Sequence, residues 1–152
     1  MIVRATQADA AACSAILHEW IYENTWFPNH APESASEQSM CSRIEDGNVY
    51  VSKVQGDTVG FIAFSNGYLD CLYLMPEARN HGLGVDLLTL AKSKSPKGLS
   101  LWVLEENKAA VRFYAREGFQ TTARSDGSDN EEGLPDIQME WKPKEVENGK
   151  TA

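Results

Sequence analysis

The chain is poor in the residues that build covalent or metal frameworks. Its three cysteines, Cys13, Cys41 and Cys71, are widely and irregularly spaced, with no C-x-x-C pair. An odd, unclustered set excludes a disulfide frame and fits free thiols in a reducing compartment. Metal ligands are as sparse. His18-Glu19 begins like a zincin helix, but Tyr22 stands where the second histidine is needed, so no metal is expected. No apolar run approaches membrane-spanning length, and the N-terminus lacks the basic, apolar, small-residue progression of a signal peptide. Cations are outnumbered, 14 Lys and Arg against 22 Asp and Glu, for a formal net charge of −8. That balance argues against a nucleic-acid partner, whose backbone demands a basic face, and against an anionic membrane surface. Repeats, low-complexity blocks and linkers are absent. At 152 residues and 42% apolar, the chain suits one domain over residues 1–141. The charged, patternless tail 142–152 is expected to be disordered, and the protein cytoplasmic.

What is present is a regular succession of strand and helix signals. Ile2–Ala5 read as a strand, and Thr6 with Asp9 has capping-box spacing. Cys13, Leu17 and Ile21 would share one helix face, with Ile16 and Trp20 beside them. Residues 25–32 are a proline-broken aromatic loop. Ser34 and Glu37 repeat the capping-box spacing ahead of a helix to about Asp46, which Gly47 ends. Val49–Val54 and Val59–Phe64 read as strands around Gln55-Gly56-Asp57. Asn66-Gly67 predicts a type I′ hairpin into Tyr68–Leu74, because both central residues of that turn need positive φ. A helix over 82–94 follows, with Leu83, Leu87, Leu90 and Ala91 on one stripe. Then come a strand Leu99–Leu104, a helix Lys108–Glu117 closed by Gly118, a strand Phe119–Ala123, and a last strand in which Ile137, Met139 and Trp141 alternate. Antiparallel strands followed by β–α–β units imply an α/β (α+β) fold, a mixed sheet with helices on both faces.

The most informative segment is Arg79-Asn-His-Gly-Leu-Gly84, between the apolar strand Leu72-Tyr73-Leu74 and a leucine-rich helix. A strand feeding a glycine turn that opens a helix is an anion site: several N–H groups converge, and the helix dipole favours negative charge. Glycines 82 and 84 let a phosphate reach those amides. No P-loop signature exists. A dinucleotide fingerprint fails as well, because Leu87 occupies its last small position. A second segment, Leu101-Trp-Val-Leu-Glu-Glu-Asn-Lys-Ala-Ala-Val-Arg-Phe-Tyr-Ala-Arg-Glu-Gly-Phe119, joins a strand to a helix carrying Asn107, Ala110, Phe113-Tyr114 and Gly118-Phe119. The two motifs together, with the weaker ending Leu134–Trp141, resemble the GCN5-related N-acetyltransferases (GNAT superfamily), small bacterial-type members included. The motifs cover residues 68 to 119, and the layout fits 1 to 141.

The resemblance implies a GNAT fold, with a mostly antiparallel sheet of about seven strands. It implies an enzyme that moves an acetyl group from acetyl-CoA, a co-substrate, to the primary amine of a small molecule or peptide by direct attack, with no metal. The diphosphate would lie on the amides of Asn80, His81, Gly82, Leu83, Gly84 and Val85, with Arg79 as a nearby cation or, alternatively, in a salt bridge at the helix start. The backbone of Leu72, Tyr73 and Leu74 would run beside the pantetheine arm. Asn107 would bond the coenzyme or cap its own helix, roles that are compatible. On helical spacing alone an inward Tyr114 is more often core; the matching family tyrosine protonates the leaving thiolate. Asp70 is the candidate base for the acceptor ammonium, acting through water, or else a group that binds the ammonium or merely faces solvent.

The family's acceptor pocket corresponds here to Trp26, Phe27 and His30 on one side. On the other is an acidic run containing Asp126, Asp129, Glu131 and Glu132, with Arg124 nearby. Such a run would steer a cationic acceptor, although a solvated loop is its commoner meaning. Trp26 and Phe27 would equally anchor a loop, and His30 is an alternative base. Readings left open are a non-catalytic acyl-CoA-binding sensor, a protein N-terminus or lysine as acceptor, and a homodimer through an edge strand near the C-terminus.

Overall fold

The computed structural model of the chain describes residues 1–28 and 33–144. Among them are seven strands: β1 Ile2–Arg4, β2 Val49–Val54, β3 Asp57–Ser65, β4 Tyr68–Leu74, β5 Leu99–Leu104, β6 Gln120–Ser125 and β7 Asp136–Trp141. The four α-helices are α1 Ala10–Glu23, α2 Glu33–Glu45, α3 Leu83–Ser93 and α4 Lys108–Arg116. In hydrogen-bonding order the strands run β1-β2-β3-β4-β5-β7-β6. The β4–β5 pair is parallel, whereas β1–β2, β2–β3, β5–β7 and β6–β7 are antiparallel. The chain forms two compact units, one of Met1–Ser65 with Leu69–Ala91, the other of Asn66–Tyr68 with the residues from Lys92 onward.

In the first unit, Cys13 and Ile16 of α1 and Met40 and Ile44 of α2 close over Val49, Val51, Phe61 and Ala63 of β2 and β3. Residues 49–52 and 60–64 are buried without alternation. Strands covered on both faces read as continuous apolar runs, as these do. Both hairpins turn through two residues of positive φ, Gln55 and Gly56 (52° and 84°) and Asn66 and Gly67 (52° and 78°). Asp57 pairs with Val54, so the first turn is shorter, and β3 longer, than expected. Helix α1 buries Ala10, Cys13, Ser14 and Ile16, while Leu17 and Ile21 are only half-buried. Its inner face is thus rotated from the expected stripe. Ser34 lies inside α2, which begins at Glu33. Ser and Glu are tolerated in a first turn, so their spacing did not fix the boundary.

Asp9 ends a single 3₁₀ turn, Gln7–Asp9, just before α1. Its Oδ2 accepts from the Thr6 N–H at 2.9 Å, the capping contact the spacing promised. Its Oδ1 also takes the Lys53 ammonium at 2.6 Å and the Thr58 hydroxyl at 3.2 Å. The residue is 5% exposed. Burial pushes its carboxyl up, but Lys53, the Thr6 amide and Thr58 outweigh that, and it titrates below the ordinary carboxylate range.

In the second unit, Leu101 and Val103 of β5 and Ile137 and Met139 of β7 face the core, joined by Tyr114 and Phe119. Lys92 ties its elements together. Its ammonium donates to the Glu117 carbonyl at 2.6 Å and stands 5.1 Å from the Trp141 ring centre. Strand β6 starts one residue later and ends two later than the apolar pattern suggested, because Arg124 and Ser125 remain paired with Ile137 and Asp136.

Asp9 makes the first unit acid-sensitive. A carboxyl whose folded pKa lies below its unfolded value, near 3.9, contributes stability that is complete above the unfolded value. That contribution is lost as pH falls through the depressed folded one. Urea unfolding between pH 3 and 7 should show wild type weakening below about pH 4. Asp9→Asn should be weaker by on the order of 2 kcal/mol at pH 7 yet lose less on acidification. Equal acid loss in both proteins would contradict this role.

Candidate active site

The glycine loop lies wholly in the first unit. After Leu74, a 3₁₀ turn at Pro76–Ala78 leads to Arg79, and the chain then takes left-handed values at Asn80 (φ 66°) and Gly82 (φ 83°) before α3 begins at Leu83. Left-handed residues just ahead of a helix start are one ingredient of an anion-binding nest. The Asp86 N–H donates to the Gly82 carbonyl at 3.0 Å. The N–H groups of Leu83, Gly84 and Val85 precede that bond and have no intrahelical acceptor. Asn80, His81 and Gly82 are exposed, and a Cβ built on Gly82 meets nothing within 4 Å. Open space over free amides at a helix start fits a diphosphate.

Arg79 is engaged elsewhere. Its guanidinium grips the Glu23 carboxylate at the end of α1 through Nη2 and Nη1, at 2.9 and 3.3 Å. Nε and Nη2 also donate to the Leu74 carbonyl, at 3.2 and 3.1 Å. The salt-bridge alternative is therefore realised, and Arg79 pins the loop to the end of β4. On β4 neighbouring side chains differ in their surroundings. Cys71 and Tyr73 pack against the core of the unit, Leu69 is buried, Asp70 is exposed, and Leu72 and Leu74 are half-buried.

Trp26 and Phe27 join a cluster that sequence reasoning did not assemble. Trp20 is its hub, with ring centres 5.8 Å from Trp26, 5.3 Å from Phe27 and 5.4 Å from Tyr73. Helical periodicity places Trp20 only beside the α1 face. An aromatic one turn before an aromatic loop was the available signal. His30 lies outside the described residues. Arg43 is a second unforeseen contact, donating from α2 to the Cys71 sulfur at 3.0 Å.

In the second unit, Asn107 caps α4 by accepting the Ala110 N–H at 3.4 Å. Tyr114 is buried, its ring edge-on to Phe113 and Phe119 at 5.3 and 5.4 Å. The acidic loop is built from turns: Asp126 takes the Ser128 N–H and hydroxyl at 2.9 and 2.7 Å, and Asn130 takes the Gly133 N–H at 2.7 Å. The Ser128 amide and hydroxyl hold the Asp126 carboxyl below its usual range. A Cβ on Gly127 would strike the Leu134 backbone at 2.5 Å, so the loop's ends close only around glycine. Glu131 is exposed and Glu132 half-buried. Arg124 pairs with Glu105 at 3.1 Å rather than with the loop's carboxylates.

Two thiols are unsuited to nucleophilic work. Burial, with Asp9 nearby, pushes Cys13 up to about 12. Burial also raises Cys71, although Arg43 pulls the other way. A neutral thiol is a poor acyl acceptor, which favours direct attack over an acyl-cysteine. Among the described residues no cluster of His, Cys, Asp and Glu could hold a metal ion, and no helix is long and apolar enough to cross a membrane.

Comparison with known proteins decides which family uses this arrangement. Residues 11–143 match the family described as acetyltransferase (GNAT) domain. The chain belongs to the GNAT acetyltransferase family. As a member it is an acetyl-coenzyme A-dependent acetyltransferase. Among GNAT relatives, the peptidyl-lysine N-acetyltransferase YjaB of Salmonella typhimurium is 31% identical over 104 residues, 68% of this chain and 71% of that protein. The solution structure of apo YjaB from Escherichia coli superposes with a TM-score of 0.76 at 26% identity, covering 93% of this chain and 96% of that one. The structure of yncA, a putative acetyltransferase from Salmonella typhimurium with its cofactor acetyl-CoA, shares the fold at a TM-score of 0.74 and 20% identity, covering 93% and 92%.

Gly84 does not adopt positive φ, so a side chain there is conformationally acceptable and reports on space. Gly84→Val should weaken acetyl-CoA binding at least tenfold by calorimetry, about 1.4 kcal/mol, while leaving the unfolding temperature within a few degrees. Unchanged affinity would remove the loop from the donor site.

Proposed function

We propose that the chain transfers the acetyl group of acetyl-CoA to a lysine ε-amine in a peptide or protein, by direct attack. The observation that carries the acceptor class is the likeness to a relative named peptidyl-lysine N-acetyltransferase. The acidic run with Glu131 and Glu132, on a chain of net charge −8, supports a cationic acceptor.

In this reading the diphosphate rests on the amides at Asn80–Val85, with Asn107 as a further contact and Arg79 holding the loop in place. The pantetheine arm follows the backbone of Leu72, Tyr73 and Leu74, where a main-chain N–H polarises the thioester carbonyl. The lysine ammonium, with a pKa near 10, must lose a proton before it can attack. Asp70, exposed on β4, accepts it through water. The C–N bond forms, the C–S bond breaks, the Tyr114 phenol gives its proton to the departing thiolate, and the second proton shed by the nitrogen as it becomes an amide restores the phenol. Trp26 and Phe27 flank the acceptor chain.

Thiol release from acetyl-CoA tests this directly. Peptides with one free lysine and a blocked N-terminus should release thiol, and the rate should climb with pH as more amine is deprotonated. Tyr114→Phe should lower kcat by about a hundredfold with acetyl-CoA affinity nearly unchanged. Binding of acetyl-CoA without thiol release from any lysine peptide, free amine or free N-terminus would leave a sensor in place of an enzyme.

A further inference from the structure

The second unit exposes one large aromatic side chain from the middle of a sheet. Trp102 of β5 is 40% exposed, whereas Leu101 and Val103 on either side are buried at 2% and 7%. Paired residues of an antiparallel ladder project to the same face. The pairs Ser100–Glu140, Trp102–Gln138 and Leu104–Asp136 therefore put Trp102 among two carboxylates and an amide. On β6, Gln120, Ala123 and Ser125 oppose Glu140, Gln138 and Asp136, while Arg124 opposes buried Ile137 and lies on the other side. This face of the ladder holds no lysine and no arginine.

Asp136 is the second observation. Its Oδ1 is buried and has no hydrogen-bond partner among the described residues. A buried carboxylate oxygen without a donor is costly and calls for an ion or donor to complete it. The broad χ2 profile of aspartate lets either oxygen turn toward a donor arriving beside the indole. Diagonal neighbours across such a ladder are about 7–8 Å apart, within the span of an aminobutyl chain. An aromatic face attracts a cation, and a carboxylate accepts an ammonium hydrogen bond.

We propose that Trp102 and Asp136 form a binding site for a primary alkylammonium, the indole carrying the methylenes and the carboxylate the charged end. The assignment of this site does not rest on the function proposed above. Gln138 and Glu140 border it, and its negative sign rejects acidic side chains.

The test uses nuclear magnetic resonance on the full chain without acetyl-CoA. The Trp102 indole N–H signal is identified by its loss in Trp102→Phe. Titration with Nα-acetyl-lysine amide should shift that signal and saturate, and Asp136→Asn should weaken the binding by about tenfold. Nα-acetyl-norleucine amide, with the same four-carbon chain but no ammonium, should leave the signal in place. An unmoved signal, an equal response to norleucine, or full retention of binding in Asp136→Asn with a native amide spectrum would overturn the proposal. A shifted indole with no thiol release from acetyl-CoA would sink the proposed function and leave this site standing; thiol release with an unmoved indole would do the reverse.

Discussion

A helix can satisfy its own amides only from the first full turn onward, and α3 leaves its opening amides where the chain has cleared the space above them. Gly82, at φ 83° with nothing near its missing side chain, and Asn80, at φ 66°, shape the loop that leads into those N–H groups. The donor's charge thus needs no lysine or arginine of its own. This resolves an apparent conflict in a chain with 22 acidic and 14 basic side chains. On the proposed reading main-chain dipoles bind the anion, while the nearest arginine spends its donors on Glu23 and the Leu74 carbonyl and holds the loop's shape.

Carboxylates serve three distinct ends here. Asp9 is structural, locked by Lys53, Thr6 and Thr58 under the start of α1. Asp126 is local, closing a turn with Ser128. Asp70, Glu131 and Asp136 have no such engagement among the contacts described, and the proposed ligand-binding roles fall on them. Net charge alone does not separate these uses. Donor partners do.

Much of the architecture was legible because it is written in local rules. The limits of β2, β4 and β5 follow from apolar runs, and Asn66-Gly67 specifies a hairpin through positive φ. The capping role of Asn107 was also readable. What escaped depends on partners distant in sequence. Glu23 captures Arg79 from 56 residues away and Lys53 reaches Asp9 across 44, and no spacing rule encodes either. The inner face of α1 was misplaced because Leu, Ile, Cys and Trp crowd the helix on several sides, so periodicity left its rotation undetermined. Trp102 sat in plain view inside the family motif; its exposure became visible only once the register with β7 set it beside Asp136.

The central claim is that the donor's diphosphate rests on main-chain amides at the head of α3, and backbone ¹⁵N–¹H shifts read those amides one by one. Saturating acetyl-CoA should move the Leu83, Gly84 and Val85 signals strongly, and desphospho analogues such as adenosine should not. If acetyl-CoA binds while these three signals stay in place, the diphosphate lies elsewhere and the account fails at its root.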